Sequence, residues 1–351
     1  MSTRAESAPA ARPGRRVIRI AGRETPVPAD PGQTILEACT AARVPMPYTC
    51  RSGECAECRA DLLAGEVEES PGADPAMFTD ADRAQGRILT CLCRPLTDIT
   101  IGIALGDGPA APGIARVPAR VARIQRACRS VVQVEVETAE PLAYRAGQYF
   151  DWHLPAIAPD RKFSAATRPG GRRLVFDVRL YPGGKVGHVV RHALAVGDTF
   201  EIIGPHGQFG FTGNAHRPAI CVAGGTGLAP IKAMVDHDLA ARTGRRITLF
   251  LGARGREDLY GLAELERWAG RHDGFDYHVA LSAEPAASAW RGGRGPVTDL
   301  VAETVTDGFG LEAYLCGPPP MIDAALPILD ALGVAPEDIH TDRFLAAKID
   351  P

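Results

Sequence analysis

The sequence predicts a multidomain α+β and α/β protein, because its pattern of strands and helices changes twice along 351 residues. The first segment, residues 16–105, is rich in short strand-like runs and has one helical run. The second, residues 119–214, is dense in strand-like runs, which predicts an antiparallel β-barrel. In the third, residues 215–351, strands alternate with helices, which predicts a parallel sheet with helices on both faces. We expect a disordered tail over residues 1–15 and a linker over the Gly/Pro/Ala-rich residues 106–118.

The composition excludes several classes of function. The chain is 45% hydrophobic and 23% charged, and its formal net charge is −3. Without a basic stripe we expect no nucleic-acid partner, and no apolar run is long enough to span a bilayer. The N-terminal residues lack the apolar stretch of a secretory signal, so we expect a cytoplasmic protein.

Local patterns in the first segment predict its elements. Residues 17–32 are typical of a strand, a turn at Gly22 and a return strand. Residues 34–44 have helical periodicity, with Thr34 as a candidate N-cap and Glu37 three residues later, the signature of a capping box. Farther on, the run CRADLLAGEVEE predicts a hairpin and DITIGIAL a closing strand.

Four cysteines carry the strongest chemical signal. Three fit the pattern C-x4-C-x2-C and a fourth lies downstream; they are Cys50, Cys55, Cys58 and Cys91. This is the ligand spacing of a plant-type [2Fe–2S] cluster, and Gly53 would let the loop turn sharply. A zinc site would more usually show two C-x2-C pairs, and disulfides are disfavoured without a secretory signal. We prefer Cys91 to Cys93 as the fourth ligand because Cys91 ends the strand-like run RILTC.

Three motifs in the later segments could bind nucleotides. RKFSAAT (161–167) offers an arginine for a phosphate, an aromatic face for an isoalloxazine ring and a hydroxyl for a flavin nitrogen. PGGKVGHVV (182–190) and AGGTGLAPIKAM (223–234) are glycine turns that lead into helices, a geometry that cradles phosphates. Each motif taken alone is also compatible with an ordinary strand or turn.

Together these motifs resemble the ferredoxin-NADP reductase superfamily with an N-terminal ferredoxin domain, and in particular the NADH-dependent reductase components of bacterial multicomponent aromatic-ring oxygenases. RKFSAAT is similar to the family's Arg-x-Tyr-Ser flavin motif, with Phe163 in the Tyr place. YLCGPPPMIDAAL (314–326) is similar to its Cys-Gly-Pro-Pro nicotinamide motif, and HTDRF (340–344) to its C-terminal aromatic segment. The resemblance covers about residues 17–345. It implies a β-grasp ferredoxin domain, an antiparallel β-barrel flavin domain and a parallel-sheet α/β nucleotide-binding domain.

The resemblance also implies the cofactors, a [2Fe–2S] cluster, FAD and NADH, and the residues that hold them. The residues implied to hold FAD are Arg161, Lys162, Phe163 and Ser164, with Gly184, Lys185 and Val186 on its pyrophosphate. The residues implied to meet NADH are Gly225, Thr226 and Gly227 on its pyrophosphate, and Cys316 and Gly317 at the hydride-transfer pocket, with Pro318 shaping the turn. Phe344 is implied to lie near the flavin ring, with Asp342 close by. The implied catalytic residues are Ser164, Cys316 and Phe344.

The implied activity is an electron relay from NADH through FAD and the cluster to an oxygenase component or an intermediary ferredoxin. An aromatic ring-hydroxylating dioxygenase is the expected acceptor system, and a soluble di-iron monooxygenase is the alternative. A non-catalytic iron–sulfur carrier or sensor is the alternative of another class. Three details depart from the family's pattern. Phe163 lacks the hydroxyl that a Tyr would use on the ribityl chain, and Gly187 replaces a Ser or Thr expected to cap a helix. Arg254 and Arg256 stand where the 2′-phosphate of NADPH would lie, so NADPH is possible.

Overall fold

The computed structural model of the protein describes residues 14–105 and 113–345. The expected N-terminal tail therefore lies outside the described residues up to residue 13, as do residues 106–112 of the expected linker. The last residues of that linker, 115–118, are already part of a strand. The chain divides into two compact units, Met1–Ala111 and Pro112–Pro351.

The first unit is a small mixed sheet with one main helix. Its elements are β1 (Arg16–Ile20), β2 (Val27–Ala29), α1 (Ile35–Ala41), β3 (Arg59–Ala64), β4 (Val67–Glu69), α2 (Asp80–Ala84), β5 (Arg87–Leu89), β6 (Cys93–Pro95) and β7 (Ile99–Gly102). Five strands form a sheet in the order β2-β1-β7-β3-β5, and β4 pairs separately with β6. Helix α1 buries one face in the core of this unit.

Three of the local predictions for this unit are confirmed, including the strand predicted over DITIGIAL, which contains β7, and one is wrong. Gly22 has a φ of +79° in the turn between the antiparallel strands β1 and β2, and Thr34 and Glu37 form the capping box of α1. The hairpin predicted over residues 58–69 does not form, since β3 pairs with β5 and β7 while β4 pairs with β6. The turn at Gly65 packs so closely on β7 that a Cβ there would lie 2.3 Å from the Asp98 carbonyl oxygen.

The second unit begins with an antiparallel barrel. Its elements are β8 (Ala115–Cys128), β9 (Val131–Thr138), β10 (Tyr149–Leu154), β11 (Ile157–Ser164), β12 (Arg173–Arg179), α3 (Lys185–His192) and β13 (Thr199–His206). The strand order is β11-β10-β13-β8-β9-β12, and a bridge between Ala165 and Phe176 joins the two ends of the sheet. The predicted barrel is thus confirmed. The predicted runs omit β11, because Pro159 and three successive charged residues interrupt its apolar alternation.

The rest of the second unit is a six-stranded parallel sheet. Its elements are β14 (Ala219–Gly224), α4 (Leu228–Ala241), β15 (Ile247–Ala253), α5 (Leu262–Ala269), β16 (Phe275–Leu281), β17 (Gly293–Arg294), α6 (Val297–Thr304), β18 (Glu312–Gly317), α7 (Pro319–Ala331) and β19 (Ile339–Arg343). Alternate residues of β14 enter two separate hydrophobic cores, one on each face, as the alternating pattern predicts. Within the two described ranges, no helix combines the length and apolar character needed to cross a bilayer.

The strand order of the parallel sheet, β17-β16-β15-β14-β18-β19, places β14 between β15 and β18. The chain therefore adds β15, β16 and β17 on one side of β14, and then adds β18 and β19 on its other side. In open α/β sheets, ligands bind beyond the carboxyl ends of the strands at such a reversal. The carboxyl ends of β14 and β18 are the places where the glycine turn and the Cys-Gly-Pro-Pro motif begin.

Candidate functional site

The four cysteines predicted as cluster ligands, all in the first unit, converge as two pairs. The loop that carries Cys50, Cys55 and Cys58 follows α1, and Cys91 follows β5, as the sequence predicts. The side chain of Cys50 is hydrogen-bonded to that of Cys55, and Cys58 to that of Cys91. Cys93, by contrast, lies in β6 as a fully buried core residue, and burial raises the pKa of its thiol to about 12.

The cysteine loop directs backbone N–H groups at the sulfurs. The amides of Ser52 and Glu54 donate to the Cys50 Sγ atom over 3.4 and 3.3 Å, and the Cys50 amide donates to the Cys55 Sγ atom over 3.5 Å. Gly53 makes this curl possible, with a φ of +84°. N–H groups aimed at thiolates stabilise their negative charge and tune the potential of a bound cluster.

Hydrogen bonds within the two pairs set the protonation of the thiols. The bond from Cys55 lowers the pKa of Cys50 to about 4 in spite of its burial, and the bond from Cys91 lowers the pKa of Cys58. The pKa values of the donors Cys55 and Cys91 are raised by these bonds and by burial. Each pair thus has one sulfur that is readily available as a thiolate, the form that binds iron.

This arrangement fits a binuclear cluster. Across the part of the chain that the structure describes, no group of three or more His, Cys, Asp or Glu side chains is placed to hold a single metal ion. A [2Fe–2S] cluster instead needs two thiolates on each of two irons, and two pairs of cysteines meet that need. The Cβ that Gly53 lacks would lie 2.6 Å from the Leu92 side chain, so the loop packs closely against the residue that follows Cys91.

The flavin motif lies on β11, against β10. The register pairs Arg161 with Trp152 and Ser164 with Tyr149, which places Arg161 and Phe163 on one face and Lys162 and Ser164 on the other. The Phe163 ring lies 4.4 Å from that of Trp152, so part of it is committed to the barrel core. Ser164 is only 6% exposed, whereas Lys162 is exposed.

The second glycine turn leads into α3, which packs against β11. The helix begins at Lys185 with Gly184 as its N-cap, and no side chain among the described residues caps it. Its first N–H groups, including those of Lys185 and Val186, are therefore available to an anion. The expectation that Gly187 occupies the cap position is wrong. Gly187 lies inside the first turn, where a Cβ would approach Leu180 to 3.3 Å.

The turns after β14 and β18 interlock at the reversal of the parallel sheet. A Cβ on Gly227 would lie 2.1 Å from the Cys316 carbonyl oxygen, and one on Gly317 would lie 3.0 Å from the Gly224 nitrogen. Gly225 has a φ of +57°. Helix α4 follows directly with Gly227 as its N-cap, and no described side chain caps it. The two motifs singled out in the sequence thus form one continuous backbone surface at the reversal of the sheet, where a dinucleotide would bind.

The third part of this surface comes from β19. The register opposes Cys316 and Asp342, and the Cys316 thiol donates to the Asp342 carboxylate over 3.9 Å. Burial and then the nearby Asp342 charge raise the pKa of Cys316 well above its usual value, so the side chain remains a neutral thiol. The Phe344 amide donates to the Gly317 carbonyl over 2.8 Å. The structure therefore brings together the nicotinamide residues named from the sequence, with Pro318 exposed at the start of α7.

Sequence reasoning missed Arg179, at the end of β12. Its Nη1 atom lies 2.8 Å from the position that a Cβ on Gly225 would take. The side chain is half-buried, and among the described residues it forms no ion pair with a carboxylate. The only signal in the sequence is a basic residue shortly before the glycine turn at 183–184.

The two arginines suggested for NADPH differ in their surroundings. The Arg256 Nε atom donates to a Glu284 carboxylate oxygen over 2.7 Å, and the Glu284 side chain is only 8% exposed. Hydrogen bonds from Ser288 and from Arg256 lower the pKa of Glu284, so the carboxylate is charged. Arg254 is exposed. One of the two arginines is thus neutralised by a neighbour that the motif did not reveal.

Comparison with known protein families finds three matches in the order of these sites. Residues 18–96 match the 2Fe-2S iron-sulfur cluster binding domain, residues 118–211 the oxidoreductase FAD-binding domain, and residues 221–326 the oxidoreductase NAD-binding domain. The first and third matches fall within the segments expected from the sequence, and the second begins one residue before its expected segment. The boundaries of the segments stay a prediction.

Relatives resemble nearly the whole chain. The xylene/toluene monooxygenase electron transfer component of Pseudomonas putida is 38% identical over 89% of each chain. The phenol 2-monooxygenase reductase component of a Pseudomonas strain is 35% identical over 92% of each. The ferredoxin–NAD(P)⁺ reductase component of the naphthalene 1,2-dioxygenase/salicylate 5-hydroxylase systems of a Ralstonia strain is 31% identical over 92% of this chain and 96% of that one.

Solved structures agree with these relatives. An Amycolatopsis reductase has a TM-score of 0.83 at 34% identity, covering 94% of this chain and 98% of its own. A ferredoxin reductase in carbazole 1,9a-dioxygenase has a TM-score of 0.74 at 26% identity, with the same coverage.

The fold and the sites define an iron–sulfur flavoprotein oxidoreductase with FAD-binding and NAD-binding domains, which uses a [2Fe–2S] cluster, FAD and NADH. The chain belongs to the family of electron-transfer reductase components of multicomponent oxygenases. As an enzyme it passes electrons from NADH through FAD and the cluster to an oxygenase system.

Proposed function

We propose that the residues described above form three separate sites, one each for the cluster, FAD and NADH. The proposed electron acceptor is the oxygenase component or ferredoxin of an aromatic-oxidising system. The observation that carries the proposal is the interlock of Gly227 with Cys316, because it builds a dinucleotide surface in the same unit as the flavin barrel. When bound, NADH and FAD supply hydride chemistry and the cluster supplies one-electron chemistry.

At the cluster, Cys50, Cys55, Cys58 and Cys91 are the four thiolate ligands. Their two-by-two arrangement and the lowered pKa values of Cys50 and Cys58 support this assignment. The amides of Ser52 and Glu54 hold the Cys50 sulfur in place.

At the flavin, Arg161 pairs with the pyrophosphate and the N–H groups of Gly184, Lys185 and Val186 complete its binding. Lys162, Phe163 and Ser164 orient the ring system and the ribityl chain. The buried Ser164 hydroxyl is the group that donates to a flavin nitrogen, and burial strengthens such a bond.

At the nicotinamide dinucleotide, Gly225, Thr226 and Gly227 bind the pyrophosphate through N–H groups. Arg179 adds a positive charge beside the same turn. The residues Cys316, Gly317, Pro318 and Phe344 shape the pocket where the nicotinamide meets the flavin. Cys316 acts there as a neutral thiol that packs against and orients the ring, since Asp342 keeps its proton in place.

The identities of the relatives favour one class of electron acceptor over another. The two relatives above that are named for monooxygenases are 38% and 35% identical, and the one named for dioxygenase and hydroxylase systems is 31% identical. These identities favour a monooxygenase component as the direct acceptor, with an aromatic ring-hydroxylating dioxygenase as the second candidate. Reoxidation of the reduced protein by a purified component of each kind would decide, since only the physiological class should accelerate it.

The relay itself is tested by the same substitution at two neighbouring cysteines. Cys91→Ala should remove the cluster absorbance and the NADH-dependent reduction of cytochrome c, because one iron loses a ligand. Reduction of ferricyanide by NADH should persist, because the flavin and NADH sites lie in the other unit.

Cys93→Ala is the matched control and should retain the cluster and both activities. Loss of ferricyanide reduction in Cys91→Ala would contradict separate sites. If Cys93→Ala loses the cluster and Cys91→Ala keeps it, the fourth ligand is misassigned.

A further inference from the structure

A buried hydrogen-bond chain ties the flavin barrel to the glycine turn of the parallel sheet. The Tyr260 hydroxyl shares its single proton between the Asp177 carboxylate, at 2.9 Å, and the Gly225 carbonyl oxygen, at 3.3 Å, in a three-centre hydrogen bond. The other Asp177 oxygen accepts from the Gln133 side-chain amide over 2.8 Å. Tyr260 is 7% exposed and Asp177 5% exposed, so this chain is shielded from water.

The three elements that meet at this hydroxyl belong to different parts of the second unit. Asp177 lies on β12 of the barrel, Gly225 in the turn after β14, and Tyr260 in the connection between β15 and α5. Hydrogen bonds to a carboxylate are about twice as strong as neutral ones, and more so when buried. Burial and the Asp177 charge raise the pKa of Tyr260 well above its usual value, which keeps the hydroxyl protonated as a donor.

The connection that carries Tyr260 is itself fastened to the barrel. The Ser130 hydroxyl donates to the buried Asp258 carboxylate over 2.7 Å, and the Arg129 amide donates to the Glu257 carbonyl over 2.9 Å. These bonds do not involve the glycine turn. The segment that carries Tyr260 is therefore bonded to the barrel independently of the turn. The Tyr260 hydroxyl is the group that contacts the turn.

A shift of the glycine turn would be transmitted to the nicotinamide side of the site. Gly227, two residues after Gly225, packs directly on the Cys316 carbonyl. Hydride transfer requires the two reacting atoms to lie about 3–3.5 Å apart, and a misplacement of about 1 Å can cost on the order of 100-fold in rate. The position of the turn relative to the barrel thus bears directly on the distance between NADH and the flavin.

We propose that Tyr260 is a positioning residue for hydride transfer, which fixes the NADH-binding turn at Gly225 to the flavin barrel through Asp177. This inference rests on the proposed role of Gly225–Gly227 in binding the NADH pyrophosphate. It assigns to Tyr260 no contact with either cofactor. Its function is to set the relative position of the two binding sites.

The first test is Tyr260→Phe in the full-length holoenzyme, with Tyr277→Phe as the matched control. The Tyr277 hydroxyl lies on β16 and makes no hydrogen bond among the described residues. In stopped flow, the limiting rate of flavin reduction by NADH should fall at least about tenfold in Tyr260→Phe, as expected for a misplacement of under 1 Å. The dissociation constant for NADH should change less than that rate, and flavin content should not change. Tyr277→Phe should match the wild type.

The second measurement does not depend on activity. Hydrogen exchange of residues 222–230, followed by mass spectrometry, should be slowed by NAD⁺ in the wild type. Without NAD⁺, exchange there should be faster in Tyr260→Phe and unchanged in Tyr277→Phe, because the turn has lost its link to the barrel.

The outcomes separate the two proposals. If NAD⁺ does not protect residues 222–230 in the wild type, the assigned NADH turn is wrong and this inference fails with it. If NAD⁺ protects them but Tyr260→Phe reduces its flavin at the wild-type rate, only the role of Tyr260 is wrong.

Should Tyr260→Phe lose its flavin, Asp177→Asn is the variant that decides, because it keeps the side-chain volume. A reduction rate in Asp177→Asn equal to that of the wild type would overturn the inference.

Discussion

At the scale of single residues, the partners of each arginine decide what it can do. Arg179 has a half-buried guanidinium beside Gly225 and no carboxylate partner among the described residues. Arg256 is neutralised by Glu284, whose side chain is 8% exposed. Both are basic residues near a glycine turn in the sequence, and only their surroundings separate an available cation from an occupied one.

The first residue-scale prediction compares Arg161→Ala with Arg179→Ala. Arg161 lies in the flavin strand, so its loss should lower the flavin content per chain after gel filtration. Arg179 lies beside the NADH turn, so its loss should leave flavin content unchanged and raise KM for NADH about tenfold, the value of one charge-assisted hydrogen bond. Flavin loss in Arg179→Ala with an unchanged KM would place that arginine at the flavin instead.

The second residue-scale prediction concerns selectivity between NADH and NADPH. Glu284→Gln removes the negative charge that occupies Arg256, which then becomes available to a 2′-phosphate. The ratio of kcat/KM for NADPH to that for NADH should rise about tenfold. Glu303→Gln, an exposed glutamate on α6, serves as the control. An equal ratio in the wild type and Glu284→Gln would show that the ion pair does not govern selectivity.

At the scale of elements, the dinucleotide site depends on how closely two strand ends approach each other. The turns after β14 and β18 touch backbone to backbone, and a side chain at Gly227 would overlap the Cys316 carbonyl. Strands alone would place these turns near each other. The glycines allow them to form one continuous backbone surface.

Gly227→Ala should therefore disrupt the site even though alanine is the smallest addition. A backbone atom 2.1 Å from the new Cβ cannot rotate away, so one of the two turns must move. We expect kcat/KM for NADH to fall on the order of 100-fold with flavin retained. Gly213→Ala, where nothing lies within 4 Å of the added Cβ, should have no effect. Near-normal kinetics in Gly227→Ala would mean that the two turns are not coupled.

At the scale of the whole molecule, the chain is built from two compact units with separate cores. The four cluster cysteines lie in the first unit, and every residue assigned to FAD or NADH lies in the second. A compact unit with its own core can in general fold alone.

A chain that begins at Pro112 should therefore fold, bind FAD and reduce ferricyanide with NADH within about twofold of the full-length rate, because all residues assigned to FAD and NADH belong to the second unit. It should not reduce cytochrome c efficiently, since it has no cluster. Full-length Cys91→Ala is the comparison, because it lacks the cluster but keeps the first unit. A fragment that aggregates or emerges without flavin would show that the second unit depends on the first.

The sequence alone determined much of this protein, because the relevant information lies in neighbouring residues. The capping box at Thr34, the cysteine spacing and the switch from alternating strands to βα units are all local, and they predicted the fold class. Apart from Arg179, the assigned cofactor residues were named from motifs that resemble those of a known family, and their roles await the experiments above.

Only the tertiary structure decided which distant residues meet. After the turn at Gly65, β4 pairs with β6 and not with β3. Glu284 pairs with an arginine 28 positions earlier, and Tyr260 is hydrogen-bonded to Asp177, 83 positions away. No short window of sequence contains both partners of such a contact. Strand order and register bring them together, so the charges and hydrogen bonds that set selectivity and alignment are properties of the folded chain.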